Sequence, residues 1–126
     1  MKTYTVYLGL MAGLLCSIGT NSFAEDQLFL EGFPDVPLLE SLIEDEDNRV
    51  VFDTPSGTVA ETMIRAEIQG RKVLNLYETK LVPFGWQCQR HPTSLTCIRE
   101  KDRLLFLDKN PAAKNGIIIL RLEPLE

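Results

Sequence analysis

The chain has 126 residues, with 18 acidic side chains, 13 basic side chains and a formal net charge of −5. This length allows one small domain. The charge is uneven, since residues 25–48 contain nine acids and no base, whereas residues 49–126 contain nine acids and twelve bases. So small a basic surplus falls short of the strongly basic surface that binds nucleic acid, and we expect no nucleic-acid partner.

Residues 1–24 have the pattern of a signal peptide. Lys2 precedes an apolar stretch over 6–19, and Ser22-Phe23-Ala24 is a small-x-small cleavage sequence. The stretch is shorter than the roughly 20 residues that span a bilayer, which favours cleavage after Ala24 over a retained anchor. We therefore expect a mature chain, 25–126, that is periplasmic or secreted and has no stable membrane insertion.

Residues 25–48 are predicted to form an acidic and apolar extended arm that packs on the body of the protein. Gly32, Pro34 and Pro37 interrupt regular structure there. The run 44–48 is predicted to form a charged turn before the body of the protein, which begins at residue 49. The arm is more apolar than a free tail, because seven residues in thirteen are apolar: Leu28, Phe29, Leu30, Phe33, Val36, Leu38 and Leu39.

The body, 49–126, is predicted to contain strands on both sides of one helix. A short strand over 49–52 is followed by a turn and by a strand over 58–68, in which apolar residues alternate. Apolar residues then recur at helical spacing until Pro83 ends the helix near Leu81. Four further strands are predicted over 86–90, 95–99, 103–108 and 116–123. The order β-β-α-β-β-β-β with short connections predicts an α+β fold, a mostly antiparallel sheet with one helix packed on one face.

Cys88 and Cys97 are the cysteines of the mature chain, and we predict that they form a disulfide. Their flanks are strand-like on both sides of a turn at 91–93, and a hairpin places the two sulfurs opposite each other. The short loop that the cross-link closes predicts about 2–3 kcal/mol of stabilisation. Neither cysteine lies in the C-x-x-C arrangement of a reactive pair.

Three motifs resemble those of a group of small exported proteins of alphaproteobacteria that have no established function. They are Asp35-Val36-Pro37-Leu38, a D-x-P-L arm; the run 51–57, a V-F-D-x-P-x-G turn; and the run 73–77, which leads to Gly85-Trp86. The similarity covers most of the mature chain. It implies an extracytoplasmic compartment and a fold, and it carries no catalytic residue.

Catalytic and metal-binding patterns are missing from the sequence. It contains no G-x-S-x-G, no H-E-x-x-H and no phosphate-binding glycine loop. His91 is the only histidine and is predicted to be a surface loop residue, and both cysteines are committed to each other. The acids at 44–47 lack the spacing of a calcium loop. We expect no cofactor, no metal and no enzymatic activity.

The leading hypothesis is therefore a small periplasmic binding or accessory protein that contacts another envelope protein through its exposed sheet face or its arm. A second hypothesis is a secreted inhibitor-like module that presents the disulfide-braced His91 loop. A third is an enzyme with an unrecognised carboxylate site built from at least two of Asp53, Glu61, Glu67 and Asp102. The candidate contact residues are Phe29, Phe33, Leu38 and Leu39 in the arm, and Arg90 and His91 in the loop.

Overall fold

The protein is described by a computed structural model over residues 27–125. The predicted signal peptide, 1–24, lies outside the described residues. Six strands and one α-helix follow in chain order: β1 (Leu42–Thr54), β2 (Gly57–Ala66), α1 (Gly70–Lys80), β3 (Gln87–His91), β4 (Ser94–Arg99), β5 (Asp102–Asp108) and β6 (Ile117–Pro124). This order and the α+β class confirm the prediction.

All six strands form one sheet in the order β1-β2-β6-β5-β4-β3, and every neighbouring pair is antiparallel. Hairpins join β1 to β2, β3 to β4 and β4 to β5. Helix α1 carries the chain from β2 to the opposite edge at β3 and packs on one face of the sheet. No helix within residues 27–125 combines the length and the hydropathy needed to cross a membrane.

Strand β1 differs from the prediction. It begins at Leu42, so the acids at 44–47 and Asn48 belong to the strand and do not form a turn before it. The pairing with β2 shifts between Asp45 and Val50, where four residues of β1 lie opposite the single residue Thr62. This bulge and its acids lie on an edge strand, where charge is solvated and discourages pairing with another chain.

Helix α1 begins where two glycines meet. A Cβ on Gly116 would lie 2.6 Å from the backbone Cα and N of Gly70, so this approach requires a residue without a side chain. After Leu81 the chain makes one turn of 3-10 helix, Val82–Phe84, which contains Pro83. Gly85 then adopts a left-handed conformation with φ of 91° and turns the chain towards β3.

The hydrophobic core lies between α1 and the sheet, and the arm closes it. Leu30, Phe33 and Val36 of the arm are each at most 3% exposed. The arm is not extended, because it folds back as a small hairpin: the Leu30 N–H donates to the Val36 carbonyl at 2.9 Å, and the Leu38 N–H to the Leu28 carbonyl at 2.8 Å. The helix, the segment 81–86 that follows it and the sheet supply the remaining core, chiefly Val73, Leu74, Tyr77, Leu81, Trp86, Ile64, Leu95, Leu104, Phe106, Ile118 and Leu120.

Candidate functional site

The disulfide predicted between Cys88 and Cys97 is confirmed. The two residues lie directly opposite each other on β3 and β4, with their Cα atoms 4.0 Å apart. Cys97 is completely buried on the helix side of the sheet. The pair therefore braces the hairpin that carries His91, and neither sulfur is available as a nucleophile or a metal ligand.

His91 is the last residue of β3 and pairs with Ser94, so the turn of the hairpin is Pro92-Thr93 and not the predicted 91–93. Hydrogen bonds fix this end of the hairpin, the His91 loop, to its surroundings. Its Arg90 guanidinium turns inward and donates to the His91 carbonyl, to Asn75 Oδ1 at 3.2 Å and to the Arg71 carbonyl at 3.4 Å. Asp108, at the end of β5, donates its backbone N–H to the Thr93 carbonyl at 2.9 Å. Arg90 thus fixes the loop to α1, whereas the His91 side chain remains exposed.

The arm residues proposed for partner contact divide into two groups. Phe33 belongs to the core and is 2% exposed, so it is not accessible to a partner in this conformation. Phe29 is 46% exposed and packs edge to face on Phe84, with the ring centroids 5.6 Å apart. Leu38 and Leu39 are half-buried. The arm therefore uses one side for the core and keeps the other side accessible.

A groove of about 600 Å³ lies between the accessible side of the arm and helix α1. We call it the arm groove. Leucine side chains supply most of its walls, and Glu40 and Lys80 add one charge of each sign. Leu28 is 63% exposed and Leu76 is 38% exposed. The lining residues are Gln27, Leu28, Leu38, Leu39, Glu40, Ser41, Leu42, Leu76 and Lys80.

Leu76 was not among the residues that the sequence singled out. The apolar spacing of α1 assigns Val73, Leu74 and Tyr77 to the core, and the structure buries all three. Leu76 lies outside that stripe, on the side that faces the arm groove. The sequence could have indicated Leu76 as a contact residue, because it is an apolar residue on the polar side of an amphipathic helix.

A second apolar surface covers the side of the sheet that faces away from α1, which we call the open face. The strand register places Met63, Ile119 and Leu107 side by side on β2, β6 and β5. Ile117 and Leu105 extend this group along β6 and β5. These five residues, the apolar centre, are half-buried, except for Leu107, which is 36% exposed.

Ion pairs surround the apolar centre. Glu61 on β2 pairs with Arg121 on β6 at 3.3 Å, and Arg65 on β2 pairs with Asp45 on β1 at 3.3 Å. Arg103 on β5 pairs with Glu123 on β6. Each acid of this set has an arginine partner on the same face, so the set carries no net charge.

The structure does not bring the candidate carboxylates together. Asp53 and Asp102 lie in one row across the sheet, but β2 and β6 lie between them. At the usual strand spacing, the distance between their backbones is about 14 Å. Glu61 is paired with Arg121, and Glu67 lies beyond the opposite end of β2. Within residues 27–125, no group of three or more His, Cys, Asp and Glu side chains is placed to hold a metal ion.

Two buried polar groups connect the arm to the body. Tyr77 donates its hydroxyl to the Pro37 carbonyl at 2.7 Å, and burial raises the pKa of this phenol above its usual value. Glu44, whose side chain is 6% exposed, accepts hydrogen bonds from Thr62 Oγ1 at 2.6 Å and from the Arg49 guanidinium at 2.9 Å. Arg49 also pairs with Glu31 of the arm at 3.2 Å.

Comparison with protein-family models, with curated proteins and with solved structures found no match to this chain. The resemblance to exported alphaproteobacterial proteins stays a prediction.

Proposed function

We propose that this protein is an exported binding or accessory module of the cell envelope, and that it acts by contacting another envelope protein through the arm groove. The observation that carries the proposal is the division of the arm. Leu30, Phe33 and Val36 are committed to the core, yet Leu28 remains exposed in the groove together with the exposed Leu76 of α1. Phe29 is exposed outside the groove, where it packs on Phe84. Exposed apolar side chains that surround a concave surface are typical of a docking site.

The groove favours a protein segment with apolar side chains as its occupant. Its leucine walls offer apolar area, and each Å² removed from water contributes about 25 cal/mol. Its charges are one acid, Glu40, and one base, Lys80, which offer little attraction to a strongly charged ligand. A helix or an extended segment that presents two or three apolar side chains fits this chemistry.

Export is supported by the disulfide. Disulfides persist in oxidising compartments such as the bacterial periplasm and are rare in the cytosol. The Cys88–Cys97 disulfide and the signal-peptide pattern at 1–24 support a partner in the envelope or outside the cell. The absence of enzymatic activity stays a prediction.

The two alternatives have weaker support, although His91 is exposed on the disulfide-braced hairpin. An inhibitor loop needs side chains free to enter a target, and Arg90 is engaged with α1. A carboxylate enzyme needs two acids in one pocket, and the candidate acids lie apart on the sheet.

The proposal is tested by photo-crosslinking in cells. A photoreactive amino acid replaces Leu76, which lines the groove, and in a control strain it replaces Lys114, in the exposed loop before β6. We expect one dominant envelope protein to be captured from position 76 and not from position 114. Equal capture from both positions, or none from position 76, contradicts the proposal.

A pair of charge variants gives an independent test. Leu76→Asp adds a carboxylate to the groove, and Thr79→Asp adds the same charge to an exposed position of the same helix that does not line the groove. Because Leu76 is already partly exposed, we expect both variants to fold. Capture of the partner by the purified protein should be lost only with Leu76→Asp. Deletion of the arm up to Ser41 is not informative, because it removes the core residues Leu30, Phe33 and Val36.

A further inference from the structure

We infer that the open face is a self-association surface, on which a second copy of this chain packs face to face to give a dimer with two sheets inside and two helices outside. This inference is independent of the arm groove. It rests on the apolar centre, on the charge balance of the open face, on the area of the sheet and on the chemistry of its edge.

The apolar centre is unusual for a solvated surface. An antiparallel sheet with one face in water normally places polar residues outward and apolar residues inward. Here Met63, Ile119 and Leu107 form a continuous apolar row over three neighbouring strands of the open face. A separate apolar group lies at the edge, where Phe52 of β1 is 52% exposed and opposite Val59; the Glu61–Arg121 ion pair separates this group from the row.

The charges of the open face favour a second copy as the occupant. Three acids and three arginines pair with one another there, so they leave no net charge, although the whole chain has a net charge of −5. Two like-charged molecules therefore meet at this face without net repulsion, whereas a nucleic acid or an anionic membrane finds no excess of positive charge. An apolar centre within a polar rim is also the usual anatomy of a protein interface.

The projected area of the open face is close to the lower end of what one partner of a stable dimer buries. Six strands at about 4.8 Å spacing extend over about 24 Å, and a strand of seven residues such as β5 extends over about 23 Å, which gives roughly 550 Å² in projection. Side-chain relief makes the accessible area larger than the projection. A stable interface of standard size buries about 600–1,000 Å² on each partner.

The β1 edge of the sheet favours face-to-face packing over edge-to-edge pairing of two β1 strands. The exposed acids Glu46 and Asp47 lie in the bulge of β1, so two β1 edges would bring like charges together across an interrupted ladder. Face-to-face packing about a two-fold axis near Ile119 instead apposes the apolar row with its own copy. The arm groove lies on the helix side, so both grooves of such a dimer remain accessible.

The test is the mass in solution of the protein that begins at Glu25, measured by sedimentation velocity over a wide concentration range. We expect a dimer that dissociates on dilution. Leu107→Glu adds a carboxylate at the apolar centre, and Val82→Glu adds one to an exposed apolar side chain on the helix side. Because the first variant brings like charges together in the interface, it should weaken the dimer at least about 100-fold, and the second should leave it unchanged.

Several outcomes overturn the inference. They are a monomer at every concentration, a dimer that survives Leu107→Glu, and a dimer that is equally lost with Val82→Glu. Circular dichroism and the melting temperature establish that both variants are folded, and Thr96→Glu at the polar rim of the open face provides a milder second variant. A monomer that captures a different protein through a photoreactive residue at position 105 also overturns the inference, but it leaves the proposal for the arm groove intact.

Discussion

Glu44 provides the sharpest test of the structure, because it lies in an acidic run that looks solvated in the sequence and is buried in the fold. Its side chain is 6% exposed, and its carboxylate accepts hydrogen bonds from Thr62 and from the cationic Arg49. Glu46, two residues further on, is exposed in the bulge. Glu44→Gln and Glu46→Gln are therefore the same chemical change at a buried position and at a solvated position of one strand.

The expected loss of stability follows from the hydrogen bonds that Glu44 accepts. A glutamine at position 44 can still accept one hydrogen bond, but its NH2 group faces one of the two donors. Loss of one charge-assisted bond in a nearly buried site costs about 1.5–3 kcal/mol, so we expect Glu44→Gln to lower the free energy of unfolding by about 2 kcal/mol. Glu46→Gln should change it by less than about 0.5 kcal/mol.

Urea unfolding followed by the fluorescence of Trp86, the only tryptophan, measures both values. For an m-value of about 1–2 kcal/mol/M, the midpoint of Glu44→Gln should fall by roughly 1–2 M, while the m-value stays the same. Thr62→Val removes one of the same bonds from the donor side and should also be destabilising. Equal midpoints for Glu44→Gln and Glu46→Gln would refute the buried placement of Glu44.

Two further predictions concern the disulfide and Tyr77. Replacement of both Cys88 and Cys97 by alanine should lower the free energy of unfolding by about 2–3 kcal/mol, because a cross-link over a separation of nine residues lowers the conformational entropy of the unfolded chain. Urea titration of the variant and of the reduced protein measures this loss, and an unchanged midpoint contradicts the prediction. Because burial raises the pKa of Tyr77 in the folded state, its contribution to stability is complete below about pH 10 and decreases as the pH rises above that value. Tyr77 is the only tyrosine in residues 25–126, so phenolate absorbance reports it alone, and ionisation of the folded protein near pH 10 would contradict the burial. Tyr77→Phe should remove this part of the alkaline destabilisation.

The fold could be predicted from the sequence where one periodicity dominates. Apolar residues alternate over 58–68 and recur at helical spacing up to Leu81, so each pattern predicts an element with one buried side. The structure contains both elements as expected. Strand β1 could not be recognised at its beginning, because a run of acids has the composition of a turn. An edge strand pairs on one side only and tolerates such charges, so tertiary pairing with β2 determines its length.

The candidate surfaces were predictable only in part. The apolar composition of the arm indicated that it packs against another apolar surface. The sequence does not show whether that surface is the core of the protein or a partner. Phe33 and Phe29 illustrate this, since both are phenylalanines of the arm, and one is 2% exposed while the other is 46% exposed. The hairpin that turns Phe33 inward depends on the backbone hydrogen bonds Leu30–Val36 and Leu38–Leu28, which leave no periodic signal.

The two surfaces lie on opposite sides of the sheet and can act at the same time. The arm groove is built by the layer that contains α1, and the open face is the other side of the same strands. A dimer through the open face would carry two outward grooves, so a partner with two binding segments, or a partner that is itself dimeric, would be held by both. Dimer-breaking substitutions at Leu107 should then weaken capture of such a partner more than they weaken binding of its isolated segment, which crosslinking and binding measurements on the same variant distinguish.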